Sequence, residues 1–121
     1  MNTRIPALAV LMATAIFFSP TNVYTEVPAA AEVTPEQIEA ARTPADHEAI
    51  ARALDAEAAA LEAKAKSHEK MERIYRGGGY PKANSATMAN HCKRLVAEYR
   101  STAKDVRDLA AAHRTVAKEL Q

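Results

Sequence analysis

The sequence predicts an all-α fold, a long antiparallel helical hairpin with coiled-coil-like packing. Two stretches, 44–76 and 85–120, carry apolar residues at the three- and four-residue spacing of one helix face. Three glycines, Gly77, Gly78 and Gly79, separate these stretches. Because glycine commonly ends helices, the chain is expected to turn here and return beside itself.

The first predicted helix has an apolar face that includes two histidines. This face comprises His47, Ile50, Ala51, Leu54, Ala58, Leu61, Ala65, His68, Met71 and Tyr75. The opposite face is charged and contains the i,i+4 pairs Glu48–Arg52, Glu62–Lys66 and Glu69–Arg73. Each such pair stabilises a helix by about 0.2–0.5 kcal/mol, so the pattern favours a regular helix.

The second predicted helix carries a seven-residue repeat, which is typical of a coiled coil. The predicted contact line comprises Met88, Cys92, Leu95, Tyr99, Thr102, Val106, Leu109, His113, Val116 and Leu120. Four further residues widen the apolar face, namely Val96, Ala103, Ala110 and Ala117. A wide face indicates more than one neighbouring helix, as in a four-helix bundle formed by a dimer.

Capping residues define the ends of the predicted elements. Thr43 lies before a proline and an acidic first turn, which is a helix start. Thr34 and Gln37 match a capping box, so residues 32–43 are expected to form a short helix or tether. The hairpin is then expected to occupy residues 44–121, with its loop at 77–84.

Residues 1–31 have the composition of a signal peptide. Arg4 precedes an uncharged apolar run at 5–18, which is short for a membrane span. Cleavage is expected after the alanines at 29–31 or earlier, near 19–23, and an uncleaved anchor is the alternative. The sequence therefore predicts a periplasmic or secreted protein with no membrane insertion after cleavage.

Composition limits the classes of partner. The formal net charge is +1 and Trp is absent, so no basic stripe interleaved with aromatic residues indicates nucleic-acid binding. A lone hairpin with few large apolar residues buries little surface. We therefore expect a homodimer, together with a protein partner whose identity the sequence does not give.

If residues at equal distances from the glycine turn face each other, the histidine, cysteine and methionine side chains of the two helices fall into two layers. The layer near the loop, here called the loop-end layer, comprises His68, Met71, Met88, His91 and Cys92. Thiolate, thioether and imidazole are soft to borderline ligands that favour Cu(I), with zinc less well matched. These residues are a candidate copper site, although they match no metal motif. A soluble haem-binding bundle with an axial histidine is the other cofactor hypothesis.

The second layer places His47 opposite His113, roughly 30 Å from the first layer at 1.5 Å per residue. These two histidines are a second candidate metal layer. An antiparallel dimer would bring them beside His68 and Cys92 of the other copy. The plainer alternative is that all these side chains are ordinary core residues. In a parallel dimer, two copies of Cys92 are expected to be close enough for a disulfide.

No enzymatic activity is predicted. The sequence suggests no Ser–His–Asp constellation and no pair of inward carboxylates. The glycines at 77–79 lack the GxxxxGK[ST] spacing and the preceding strand of a phosphate-binding loop.

Several sequence fragments resemble known proteins. The fragments are ADHEAIA at 45–51, HEKM at 68–71, MANHCKRLVAEYR at 88–100 and AAAHR at 110–114. They are similar to small exported proteobacterial α-helical hairpin proteins of unassigned function. The resemblance implies export and a helical fold over residues 43–120, and implies no chemistry.

The favoured function is that of an exported, non-enzymatic structural, interaction or stress-related module. Periplasmic metal binding, with Cu(I) as the favoured ion, is the first alternative, and haem binding is the second.

Overall fold

The computed structural model of the chain describes residues 32–78 and 83–121, which form three helices. They are α1, Pro35–Ala40; α2, Pro44–Arg76; and α3, Ser85–Glu119. These residues contain no strand, and the two long helices pack against each other. The predicted all-α fold with two long packed helices is therefore confirmed. The predictions made for residues 1–31 and 79–82 lie outside the described residues.

The first turn of α2 is closed by a capping box. Thr43 Oγ1 accepts a hydrogen bond from the Asp46 N–H at 3.2 Å, and the Asp46 carboxylate accepts from the Thr43 N–H at 2.9 Å. The same carboxylate accepts from the Arg42 N–H at 3.0 Å. These bonds, that of Arg42 foremost, hold the pKa of Asp46 below its usual range. The predicted capping box of Thr34 and Gln37 likewise begins α1.

The turn uses two residues with left-handed backbones. The Gly77 N–H donates to the Arg73 carbonyl at 2.9 Å and ends α2. Gly78 has φ +78°, which glycine adopts without steric cost. Asn84 has φ 68° before α3, and its carbonyl accepts from the Met88 N–H at 2.9 Å. Asparagine tolerates this conformation, so the residue starts the helix through its backbone, without a side-chain cap.

Alanines fill the seam, by which we mean the line of contact between α2 and α3. Buried small residues recur at every seventh position, and all but one are fully buried alanines. They are Ala51, Ala58, Ala65, Ala89, Val96, Ala103, Ala110 and Ala117. The spacing is that of a coiled coil, and the small side chains let the two backbones approach closely. The seam therefore buries little large apolar surface.

The seam of α3 differs from the prediction by one position around the helix. Four of the predicted residues do contact α2 or its core, namely Cys92, Tyr99, Val106 and His113. The remaining predicted seam residues are exposed or half-buried, namely Met88, Leu95, Thr102, Leu109, Val116 and Leu120. The residue after each of the first five lies in the seam instead. Two helices in contact approach most closely where side chains are smallest, so the larger ones are displaced to the edge.

The segment before α2 covers part of the open end of the hairpin, the end opposite the loop. Ala41 is buried with Ile50 and Leu54, and Val33 packs against the same cluster. A groove of about 280 Å³ lies between α1 and α2. Because α1 itself contributes no buried residue, the segment is attached mainly through Val33 and Ala41.

The faces of α2 and α3 that point away from the seam carry exposed charged residues, among them Arg52, Lys66 and Lys104. Within residues 32–78 and 83–121, no helix combines the length and the apolar character that crossing a membrane requires.

Candidate functional site

The predicted layer of His47 and His113 forms at the open end of the hairpin. The first turns of α2 present one ring and the last turns of α3 present the other. The two Nδ1 atoms lie 3.0 Å apart, and the ring centroids lie 5.3 Å apart with a tilt of 31°. At this distance one Nδ1 donates a hydrogen bond and the other accepts it, so at least one ring is neutral.

Burial lowers the pKa of His113, and the neighbouring His47 acts in the same direction. A lowered pKa favours the uncharged imidazole, whose nitrogen can accept a proton or bind a metal ion. Both side chains are half-buried, so solvent still reaches one side of the pair. The pair therefore places two partly buried imidazole nitrogens, each able to act as a metal ligand, between the two long helices.

His68 stacks on Tyr99, whereas the sequence predicted Cys92 as its neighbour. The ring centroids are 5.5 Å apart with an interplanar angle of 24°. Lys64 Nζ lies 5.8 Å from the centroid of the same tyrosine ring. Within the described part of the chain, His68 Nδ1 is buried without a hydrogen-bond partner. The contact is one seven-residue repeat farther from the loop than predicted.

The other members of the loop-end layer are dispersed. His91 is exposed and its Nδ1 faces Arg94, while the free thiol of Cys92 is buried in the seam. Met71 and Met88 lie at an edge and are 39% and 36% exposed. Among the residues that the structure describes, no three His, Cys, Asp or Glu side chains gather into a metal-binding group. Binding of Cu(I) or haem by the loop-end layer stays a prediction.

One edge of the hairpin, here called the ionic flank, is closed by ion pairs between the long helices. The pairs are Arg100–Glu69 at 2.8 Å, Arg107–Glu62 at 3.2 Å and Arg114–Asp55 at 2.5 Å. Arg114 also lies 3.9 Å from Glu48, and its hydrogen bond with Asp55 raises its pKa further. The arginine numbers rise as the carboxylate numbers fall, so α2 and α3 run antiparallel.

The ionic flank was not predicted, although the sequence carries a signal for it. Both partners recur at seven-residue intervals, as Asp55, Glu62 and Glu69 on α2 and Arg100, Arg107 and Arg114 on α3. The predicted partners of Glu62 and Glu69 were Lys66 and Arg73 of the same helix. In the structure both carboxylates bind arginines of α3 instead. A search for matching charge repeats on the two helices would have found them.

The opposite edge, here called the apolar flank, exposes large apolar side chains. It comprises the exposed Met71 and Ile74 of α2, the exposed Met88 and Leu109 of α3, and the half-buried Leu95 and Val116 of α3. Ile74 is 60% exposed and Leu109 is 48% exposed. In heptad geometry, the residues one position before the seam residues of two antiparallel helices share one edge. On α3 these positions are mostly apolar, whereas on α2 Glu57 and Lys64 occupy them and the exposed apolar residues Met71 and Ile74 lie near the loop.

Three features of the described chain bear on function, namely the alanine seam, the two unlike flanks and the histidine pair. The resemblance to small exported proteobacterial hairpin proteins stays a prediction. No protein-family model, curated protein or solved structure matches this chain.

Proposed function

We propose that this chain is an exported, non-enzymatic structural module that pairs with a second copy of itself through the apolar flank. The two hairpins would then form a four-helix bundle. The observation that carries the proposal is that several large apolar side chains line an exposed edge while alanine fills most of the seam.

The energetic argument compares the seam with the apolar flank. Fully burying a leucine, isoleucine or methionine side chain contributes about 1.5–3 kcal/mol, and alanine contributes much less because it has a single methyl group. Ile74 and Leu109 keep about half of their surface in water. A single hairpin therefore leaves much of its apolar surface unused, and a partner on this flank would supply that contribution.

A second copy is the partner that this flank fits best. Covering a stripe along α3 and the loop end of α2 takes a partner that is itself elongated and apolar on one edge. A second copy has such an edge, and a two-fold axis places the same flank on both sides of the interface. The arginines of the ionic flank already bind carboxylates of their own chain, so that edge leaves less to gain from a partner.

The proposed dimer is non-covalent. Cys92 is only 6% exposed and lies in the seam between the helices of one chain. An interchain disulfide would require its thiol to leave this position. Burial of the flank, rather than a disulfide, is therefore the proposed source of association.

Sedimentation equilibrium of the full chain tests the dimer. The wild-type chain should associate in the micromolar range, and Leu109→Glu should weaken association at least about ten-fold, because each dimer would bury two unpaired charges. Ser101→Glu is the matched control, since it adds the same charge to an exposed position outside the apolar flank. A monomeric wild-type chain, or equal weakening by the control, would contradict the proposal.

Export is supported by Arg4 and the uncharged run at 5–18. In a bacterial host, the periplasmic fraction should contain a shortened chain whose mass gives the cleavage position. Leu11→Arg should retain the chain in the cytoplasm because a charge interrupts the apolar run. Thr3→Arg is the control, since it adds the same charge before the run. Wild-type protein of full length in the cytoplasm would count against export.

A further inference from the structure

The His47–His113 pair connects the two helices at the end farthest from the loop. His47 lies just after the capped first turn of α2, where Thr43 and Asp46 fix the backbone. His113 lies within the last turns of α3, which ends at Glu119. Regular helix therefore positions both imidazoles, and their contact does not depend on a loop.

The distance between the two nitrogens suits neighbouring ligands of one metal ion. Bonds from imidazole nitrogen to a metal are about 2.0–2.1 Å long, so two such nitrogens lie about 2.9 Å apart at 90° and about 3.3 Å apart in a tetrahedron. The Nδ1 atoms of the pair are 3.0 Å apart. The two nitrogens are therefore near enough to reach one ion after the rings turn, and imidazole nitrogen suits Ni(II) and Cu(II).

We propose that His47 and His113 clamp one Ni(II) or Cu(II) ion between α2 and α3, with water completing the coordination. In the hydrogen-bonded pair the two nitrogens face each other. Rotation of the rings about their Cβ–Cγ bonds turns both lone pairs toward a shared point. The half-buried side chains leave the solvent side of the pair open for this movement and for the water ligands.

The surroundings favour a metal site of moderate affinity. Metal ions bind neutral imidazole, and burial keeps the pKa of His113 low. The nearest acidic residues in sequence are already engaged, since Asp46 accepts backbone N–H groups and Glu48 lies beside Arg114. Two imidazoles are therefore the proposed protein ligands, and water supplies the others.

Metal binding at this place would stabilise the fold. The ion would link the start of one long helix to the end of the other, and an unfolded chain does not hold this pair together. All the contacts used lie within a single chain, so the clamp does not depend on the proposed dimer.

Nickel titration of the untagged full chain, followed by calorimetry and thermal unfolding, tests the clamp. Ni(II) is the probe because the Cys92 thiol can reduce Cu(II). One ion should bind per chain, and a large excess of Ni(II) over its Kd should raise Tm by about 5 °C or more. His47→Gln and His113→Gln should each weaken binding at least ten-fold. His91→Gln, which removes an exposed histidine bonded to Arg94, should leave binding unchanged.

Chemical modification of the wild-type chain gives a second measurement that does not depend on the folding of a variant. Ni(II) should protect His47 and His113 from diethylpyrocarbonate while His91 continues to react. Equal affinity in His47→Gln, or binding lost in His91→Gln or His68→Gln, would overturn the proposal. Protection of His91 without protection of His47 and His113 would do the same.

Discussion

The two flanks of this hairpin border the same seam but differ in chemistry, since one carries ion pairs and the other carries exposed apolar side chains. On the ionic flank, Arg107 crosses the seam to Glu62 and completes its interactions within the chain. On the apolar flank, Leu109 and Ile74 stand beside the same seam and keep about half of their surface in water. The charged residues of one edge therefore find partners within the chain, whereas the other edge leaves apolar side chains exposed.

This difference distinguishes the interactions that align the two helices from those that would contribute energy to association. An exposed ion pair typically contributes only about 0.2–1 kcal/mol, but a row of such pairs at seven-residue spacing disfavours sliding of one helix along the other. The apolar flank contributes little to the isolated hairpin and much to an assembly that covers it. We infer that the ionic flank fixes the alignment of α2 and α3 and that the apolar flank drives their association with a partner.

The largest expected effect comes from the seam, on which both flanks depend. Ala58 is fully buried there, so Ala58→Leu should force the helices apart and lower the free energy of unfolding by about 1–3 kcal/mol. Urea unfolding followed by circular dichroism measures the change. Ala59→Leu, an exposed neighbour, is the control and should have little effect. Similar destabilisation by both variants would mean that the alanine seam is not the contact line.

The next effect concerns the ionic flank alone. Arg107→Glu places two carboxylates opposite each other and should lower the free energy of unfolding by about 1 kcal/mol. The double variant Arg107→Glu with Glu62→Arg restores an opposite pair and should recover part of this loss. A double-mutant cycle measures the coupling. Additive effects of the two single variants would show that the pair contributes nothing.

Raising the salt concentration should affect the two flanks differently, and the change in the free energy of unfolding should be smaller than in the variants above. Raising ionic strength screens exposed ion pairs, so the free energy of unfolding of a monomeric Leu109→Glu chain should fall by a few tenths of a kcal/mol. The association constant of the wild-type chain should stay constant or increase, because apolar contacts are not screened. Parallel urea titrations and sedimentation runs at two salt concentrations measure both. Dissociation of the dimer by salt would place charged residues in its interface.

The smallest effect concerns the capped start of α2, which lies apart from the main contacts of both flanks. Hydrogen bonds to the folded-state carboxylate hold the pKa of Asp46 below 3.8, so their contribution is fully present above about pH 3.8. It is lost as pH falls through the lowered folded-state pKa, because the unfolded chain binds the proton more readily. Asp46→Asn should flatten this part of the curve of stability against pH. An unchanged curve would show that ionisation of Asp46 contributes nothing to stability.

Local rules predicted more of the helices than of the site. The capping pair Thr43 and Asp46 and the turn at Gly77 follow from short sequence signals, because each acts on its own few residues of backbone. Counting from the turn also placed His47 opposite His113. The same counting failed nearer the loop, where His68 meets Tyr99 instead of Cys92, because counting from the turn ignores side-chain packing between the helices.

The sequence by itself determined the helical class, the capping of α1 and α2 and the position of the turn. Only the tertiary structure decided which of two neighbouring stripes on α3 faces α2. The stripe that contains Leu109 and the stripe that contains Ala110 have the same seven-residue spacing and are equally compatible with a helix. The choice depends on close approach of two helices, which alanine permits and leucine prevents, and no single helix contains that information.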